Sequence, residues 1–122
     1  MSTNKKILII EDEKAIAQAL ELKLVHEGFE AKAVFNGEEG IRLLQNETYA
    51  LVLLDLMMPK MDGFMVLKIM NEKKIQTPVA VLSNLSQDEE INRAKALGVK
   101  EFFVKSNMTI AAIVEWVARF LA

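Results

Sequence analysis

The chain contains no cysteine. A disulfide framework, a thiolate nucleophile and a cysteine-ligated metal are therefore excluded, and the composition suits a reducing compartment. Long apolar runs are missing as well. The N-terminal stretch leads into only four apolar residues, Ile7 to Ile10, before Glu11. A signal peptide needs a longer apolar region, and a membrane span needs about 20 residues. The expected location is thus cytoplasmic, with no membrane partner. Basic clusters are scarce. The 15 Lys and Arg are scattered, their longest runs being the pairs Lys5-Lys6 and Lys73-Lys74, and the formal net charge is −2. Nucleic-acid binding draws on clustered cations that displace counterions, so no direct nucleic-acid contact is expected. No linker, repeat or low-complexity stretch breaks the 122 residues, a length that suits one domain. The expectation is a single domain over 1–122 with no output domain in this chain. With 52% hydrophobic and 26% charged residues, it has the material for a real core.

What is present alternates between two patterns. Short apolar runs, often β-branched, occur at Ile7–Ile10, Ala31–Phe35, Leu51–Leu54, Val79–Leu82 and Phe102–Val104. Longer segments with helical periodicity lie between them. Ile16, Ala17, Leu20, Leu24 and Val25 mark a first helix, and Ile41, Leu43 and Leu44 a second. Phe64, Val66, Leu67 and Met70 mark a third, and Ile91, Ala94 and Leu97 a fourth. Ile110, Val114, Val117 and Leu121 mark a fifth, its apolar stripe widened by Ile113, Trp116 and Phe120. Gly28, Asn36-Gly37 and Gly98 punctuate these segments. Ser86 with Glu89 reads as a capping box for the fourth helix, and Pro78 stands where a strand begins. The first, third and fourth strand runs are almost wholly apolar, as in parallel strands covered by helices on both faces. The expected fold class is α/β, a doubly wound five-stranded parallel sheet. The pattern leaves strand order open.

Ligands of open parallel sheets bind beyond the carboxyl ends of the strands. Glu11 and Asp12 follow the first strand, Asp55 the third, Ser83 the fourth and Lys105 the fifth. Crowded carboxylates repel and raise one another's pKa, and a hard cation such as Mg²⁺ relieves that repulsion through oxygen ligands. Lysine supplies a positive point charge for phosphoryl oxygens, and a serine hydroxyl an adaptable donor. A carboxylate can attack phosphorus and form an aspartyl-phosphate. Each residue alone also has a plainer role. Glu11 and Asp12 could cap a helix, Asp55 could form a turn, and Lys105 could be a surface lysine. Five such groups at strand ends together are far more specific than any one.

At these residues the chain resembles the receiver domain of two-component response regulators. The matching segments are Ile7–Glu13, Leu53–Gly63, Val81–Ser83 and Phe102–Lys105. The resemblance implies a flavodoxin-like (βα)5 fold and assigns roles to particular residues. Asp55 matches the phosphoacceptor. Asp12 matches a direct Mg²⁺ (or Mn²⁺) ligand, Glu11 its water-mediated neighbour, and Met57 the position whose carbonyl completes the metal shell. Ser83 matches the hydroxyl that turns toward the phosphoryl group, and Lys105 the lysine that binds it. Phe102 matches the aromatic switch residue, and Pro59 and Gly63 the turn after the third strand. The implied function is a Mg²⁺-dependent switch rather than an enzyme with an external substrate. A sensor histidine kinase or phosphotransfer protein would phosphorylate it. The face of the fourth helix, fifth strand and fifth helix would then control a downstream protein target or a homodimer.

Three departures accompany the resemblance. Glu11 stands where aspartate is commoner. Ser106 replaces the proline that usually follows the lysine, so the Lys105-Ser106 bond is either a strained cis peptide, costing about 2.5–4 kcal/mol, or a trans bond that holds Lys105 differently. Phe102 lacks the hydroxyl of tyrosine. Met57 and Leu85 occupy positions that govern water access in the family, and both are bulky and apolar, so slow self-dephosphorylation is expected. His26, the only histidine, reads as a solvated helix end rather than a phosphohistidine. Trp116 and Phe120 could contact a partner or pack against the fifth strand or fourth helix. The competing function is a receiver-like protein-binding module independent of phosphorylation. A phosphatase is disfavoured because no acid/base aspartate stands two residues beyond Asp55. A flavin site is disfavoured because no Ser/Thr/Gly-rich loop follows the first strand.

Overall fold

The computed structural model describes residues 5–84 and 87–122. Five strands alternate with five helices: β1 (Lys6–Ile10), α1 (Lys14–His26), β2 (Glu30–Val34), α2 (Gly37–Asn46), β3 (Leu51–Asp55), α3 (Gly63–Glu72), β4 (Val79–Ser83), α4 (Asp88–Ala96), β5 (Glu101–Val104) and α5 (Ile110–Phe120). One turn of 3₁₀ helix, Lys105–Asn107, joins β5 to α5. All four strand pairs are parallel, in the order β2-β1-β3-β4-β5. This is the doubly wound order in which the chain reverses direction between β1 and β3. No helix among the described residues is long and apolar enough to cross a membrane.

Alternation along each strand splits the core into two layers. Leu8, Ile10, Val52, Leu54, Val79 and Val81 face α2, α3 and α4. Ile7, Ile9, Leu51, Leu53, Ala80 and Leu82 face α1 and α5. Every residue of β3 and β4 is buried, which explains their unbroken apolar sequence. Each fully buried aliphatic side chain stabilises the fold by roughly 1.5–3 kcal/mol.

Side chains and glycines end the helices where the sequence indicates. Asn36 accepts from Glu39 N–H, Asp62 from Met65 N–H and Thr109 from Ala112 N–H, each filling an orphan donor of a first turn. Gly28 and Gly98, with φ of 94° and 89°, terminate α1 and α4 in the left-handed region that glycine tolerates. The expected capping box of α4 involves Ser86, which lies outside the described residues. The N-cap here is Gln87, without a side-chain cap.

Three helix faces differ from expectation. Val25 of α1 is exposed, because the face toward the sheet runs through Ala17, Leu20 and Leu24. Leu97 lies past the end of α4 and is exposed, leaving Ala94 as that helix's buried residue. In α5 the buried residues are Ile113, Val114 and Val117, with Ile110 and Leu121 half-buried at the margins. Trp116 meets Phe103 of β5 edge-on at 5.5 Å and stacks on Phe120 at 4.8 Å. Part of the aromatic flank is thus spent on the fifth strand.

Candidate functional site

The register of the sheet builds the site. Ile10 pairs with Leu54, so Glu11 and Asp55 follow side by side at the carboxyl edge. The alternation that turns Ile7 and Ile9, and Leu51 and Leu53, to the α1/α5 side carries Glu11 and Asp55 to that side. Ser83 ends β4 opposite Val104, and Lys105 follows directly. Ser83 continues the other alternation, that of Val79 and Val81, on the face where Phe102 packs. Lys105 therefore approaches Asp55 with Glu11, while Ser83 and Phe102 share the layer beneath α4.

Four of the expected residues meet at short range. One carboxylate oxygen from each of Glu11, Asp12 and Asp55 lies within 4.8 Å of the others, an arrangement that could hold a metal ion. Lys105 Nζ sits 2.6 Å from Glu11 Oε1 and 3.4 Å from Asp55 Oδ2. Glu11, Asp55 and Ser83 are buried. Asp55 Oδ1 accepts the Met57 N–H at 3.0 Å, so the loop folds back over the carboxylate while the Met57 side chain stays exposed. Phe102 is half-buried against the α2/α3/α4 layer.

The loop after β3 takes its shape from two positions. Lys60 adopts a φ of 68°, and Met61 N–H bonds back to Pro59 O at 2.8 Å. Gly63 then returns its N–H to Leu56 O at 3.0 Å. A Cβ on Gly63 would stand 2.5 Å from the Asp55 carbonyl oxygen and 2.6 Å from Leu56 Cα, so only glycine permits this close return. Every peptide bond among the described residues is trans. The Lys105-Ser106 bond therefore carries no cis strain, and Lys105 is held by the 3₁₀ turn that Ser106 and Asn107 complete.

The electrostatics are those of crowded, buried acids around one lysine. The Asp55 carboxyl is pushed up to about 8, first by burial and then by the hydrogen bond and negative charge of Glu11; the Met57 N–H and Lys105 oppose the rise. Burial acts against the Lys105 ammonium too, but its bonds to Glu11 and Glu13 and the charge of Asp55 outweigh that and raise it above the ordinary lysine value. Glu11 is fully buried, and its Oε1 is paired with the Lys105 ammonium. The all-oxygen donor set of Glu11, Asp12 and Asp55 suits a hard divalent cation. One participant escaped the sequence reading. Glu13 Oε1 bonds Lys105 Nζ at 3.0 Å. Its only signal was a third acid beside Glu11 and Asp12.

The model of the response regulator receiver domain matches residues 7–117. The chain belongs to that family. Among its relatives, the cell cycle response regulator CtrA of Brucella ovis is 38% identical over 100 residues. The match covers 82% of this chain and 43% of the relative, so the chain corresponds to less than half of that protein's length. The receiver domain of Francisella response regulator 1452 superposes with a TM-score of 0.86 at 32% identity, covering 95% of both chains. The response regulator TrrA of Thermotoga maritima, solved in complex with Mg²⁺-BeF, gives a TM-score of 0.80 at 30% identity over 94% of this chain and 97% of that one. Phosphorylation-based signalling is the function of the receiver family, and its members act as switches that interact with histidine kinases and effector domains.

Proposed function

We propose that Asp55 accepts a phosphoryl group and that this chain is a phosphorylation-controlled switch. The observation that carries the reading is the convergence of Glu11, Asp12 and Asp55 into one oxygen cluster with Lys105 beside it. An Asp55 carboxylate oxygen attacks phosphorus, forming an O–P bond while the bond from phosphorus to the donor's leaving atom breaks. For a kinase or phosphotransfer protein the leaving atom is a histidine nitrogen, and it keeps the electron pair. Lys105 supplies positive charge to the phosphoryl oxygens, and the Ser83 hydroxyl donates to them. Asp12, Asp55 and the Met57 carbonyl would hold Mg²⁺ or Mn²⁺ directly, with Glu11 acting through water. Such an ion supplies charge neutralisation for carboxylates and phosphoryl oxygens.

The output follows from sheet geometry. Ser83 and Phe102 share one layer, so a Ser83 drawn toward a phosphoryl oxygen changes the space beside Phe102. The α4-β5-α5 face is thereby biased between two packings, and it would contact a downstream target or a second copy. The competing reading, a binding module indifferent to phosphate, would not require three carboxylates converging beside Lys105. Intact-mass measurement after incubation with Mg²⁺ and acetyl phosphate tests the choice. A single phosphoryl adduct on the wild type and none on Asp55→Ala is the expected result. No adduct on either protein would favour the binding module.

A further inference from the structure

Lys105 has more partners than a phosphoryl-binding lysine needs. Its Nζ lies 2.6 Å from Glu11, 3.0 Å from Glu13 and 3.4 Å from Asp55. Asp55, the group it would serve, is the most distant of the three. The two glutamates also differ in freedom. Glu11 is fully buried, and its Oε2 accepts the Glu13 backbone N–H at 3.0 Å. It is therefore anchored. The Glu13 side chain is 54% exposed, whereas Lys105 is 11% exposed. Glu13 is the one arm of the cage that can swing into water at little cost.

We propose that Glu13 is a positioning residue that holds Lys105 in the resting site and governs its release to an incoming phosphoryl group. The inference rests on Asp55 being the acceptor. An ammonium has three donors, and here three carboxylates surround them. A phosphoryl oxygen must displace one, and Glu13 is displaced because its carboxylate alone is readily rehydrated. The longer side chain of Glu11 contributes by tying Lys105 to the β1 end of the site. Glu13 thus acts through Lys105, and its effect must vanish when Lys105 is absent.

The phosphorylation rate of the full chain with Mg²⁺ and acetyl phosphate, followed by intact mass, tests this. Glu13→Gln should react about three- to tenfold faster, the scale of one partly exposed charge-assisted bond. Glu13→Asp keeps the charge but shortens the arm, and should also react faster. In a Lys105→Ala background, Glu13→Gln should change the rate by less than about 1.5-fold, since the coupling is gone. Unchanged rates in both Glu13 variants overturn the proposal. So does a Glu13→Gln gain that persists without Lys105, or one absent from Glu13→Asp, because either points to simple repulsion of an anionic donor. A second reading needs no phosphodonor. In metal-free protein with ε-¹³C lysine, Glu13→Gln should shift the Lys105 signal, and an unmoved signal overturns the latch. A wild type that takes no phosphoryl group at all while the Lys105 signal does shift overturns the acceptor reading and, with it, the role of Glu13 in release.

Discussion

Asp55 sits where folding resists its ionisation. Its carboxyl is pushed up to about 8 from 3.8 by burial and by Glu11. An acid whose pKa rises on folding weakens the fold at higher pH. Below about pH 4 both states hold the proton and nothing is lost. Between pH 4 and 8 the unfolded state ionises first, so the penalty grows; above about 8 it levels off. Asp55→Asn removes the penalty. In metal-free buffer at pH 8 it should raise Tm by several degrees, on the order of 1–3 kcal/mol, with the difference shrinking toward pH 4. Thermal melts across that range check this, and an Asp55→Asn no more stable than wild type at pH 8 would contradict it. Millimolar Mg²⁺ should stabilise the wild type more than the variant. Met57 makes a second prediction at this scale. Its N–H holds the loop over the Asp55 carboxylate, shielding that side of it, and its apolar side chain is exposed. The aspartyl-phosphate should persist for minutes without a phosphatase, as followed by mass, and a lifetime of seconds would speak against the shielding.

Elements place these residues, and here the sequence was legible in some respects and silent in others. Strand positions were readable because buried parallel strands must be apolar on both faces, and the acids, serine and lysine that break those runs marked the strand ends. Strand order was not readable, since each crossover is compatible with several neighbours. Helix faces were readable to within one flank. Val25 extends an apolar stripe on paper but falls outside the arc that meets the sheet, and Leu97 lies past the end of α4. The bond from Ala33 N–H to Glu21 Oε2 at 2.8 Å, which satisfies an outward donor on edge strand β2, had no sequence signal. Neither did the pairing of Lys105 with Glu13, 92 residues apart. Gly63 is the element-level position most open to test. Because a Cβ there meets backbone atoms at 2.5 and 2.6 Å, Gly63→Ala should cost about 2–4 kcal/mol in urea unfolding and displace the loop that caps Asp55. A change below about 0.5 kcal/mol would show that the loop has another route back.

Across the whole molecule, one sheet edge gathers the chemistry and two layers carry it apart. Glu11, Asp55 and Lys105 face the α1/α5 side, whereas Ser83 and Phe102 lie under α4. Phosphoryl uptake and its report should therefore be separable. Phe102→Ala should retain uptake within about twofold, because Phe102 contributes no group to the cluster. It should blunt the change in Trp116 fluorescence on phosphorylation, since Trp116 reads β5 through its edge contact with Phe103. A full fluorescence response in Phe102→Ala would place the relay elsewhere. All of this depends on one covalent bond at one residue. Borohydride reduction converts an aspartyl-phosphate to homoserine, and peptide mapping then locates it. After treatment with Mg²⁺ and acetyl phosphate, homoserine should appear at position 55 alone and disappear when Mg²⁺ is chelated. Homoserine at another acid, or none at all, would contradict the account.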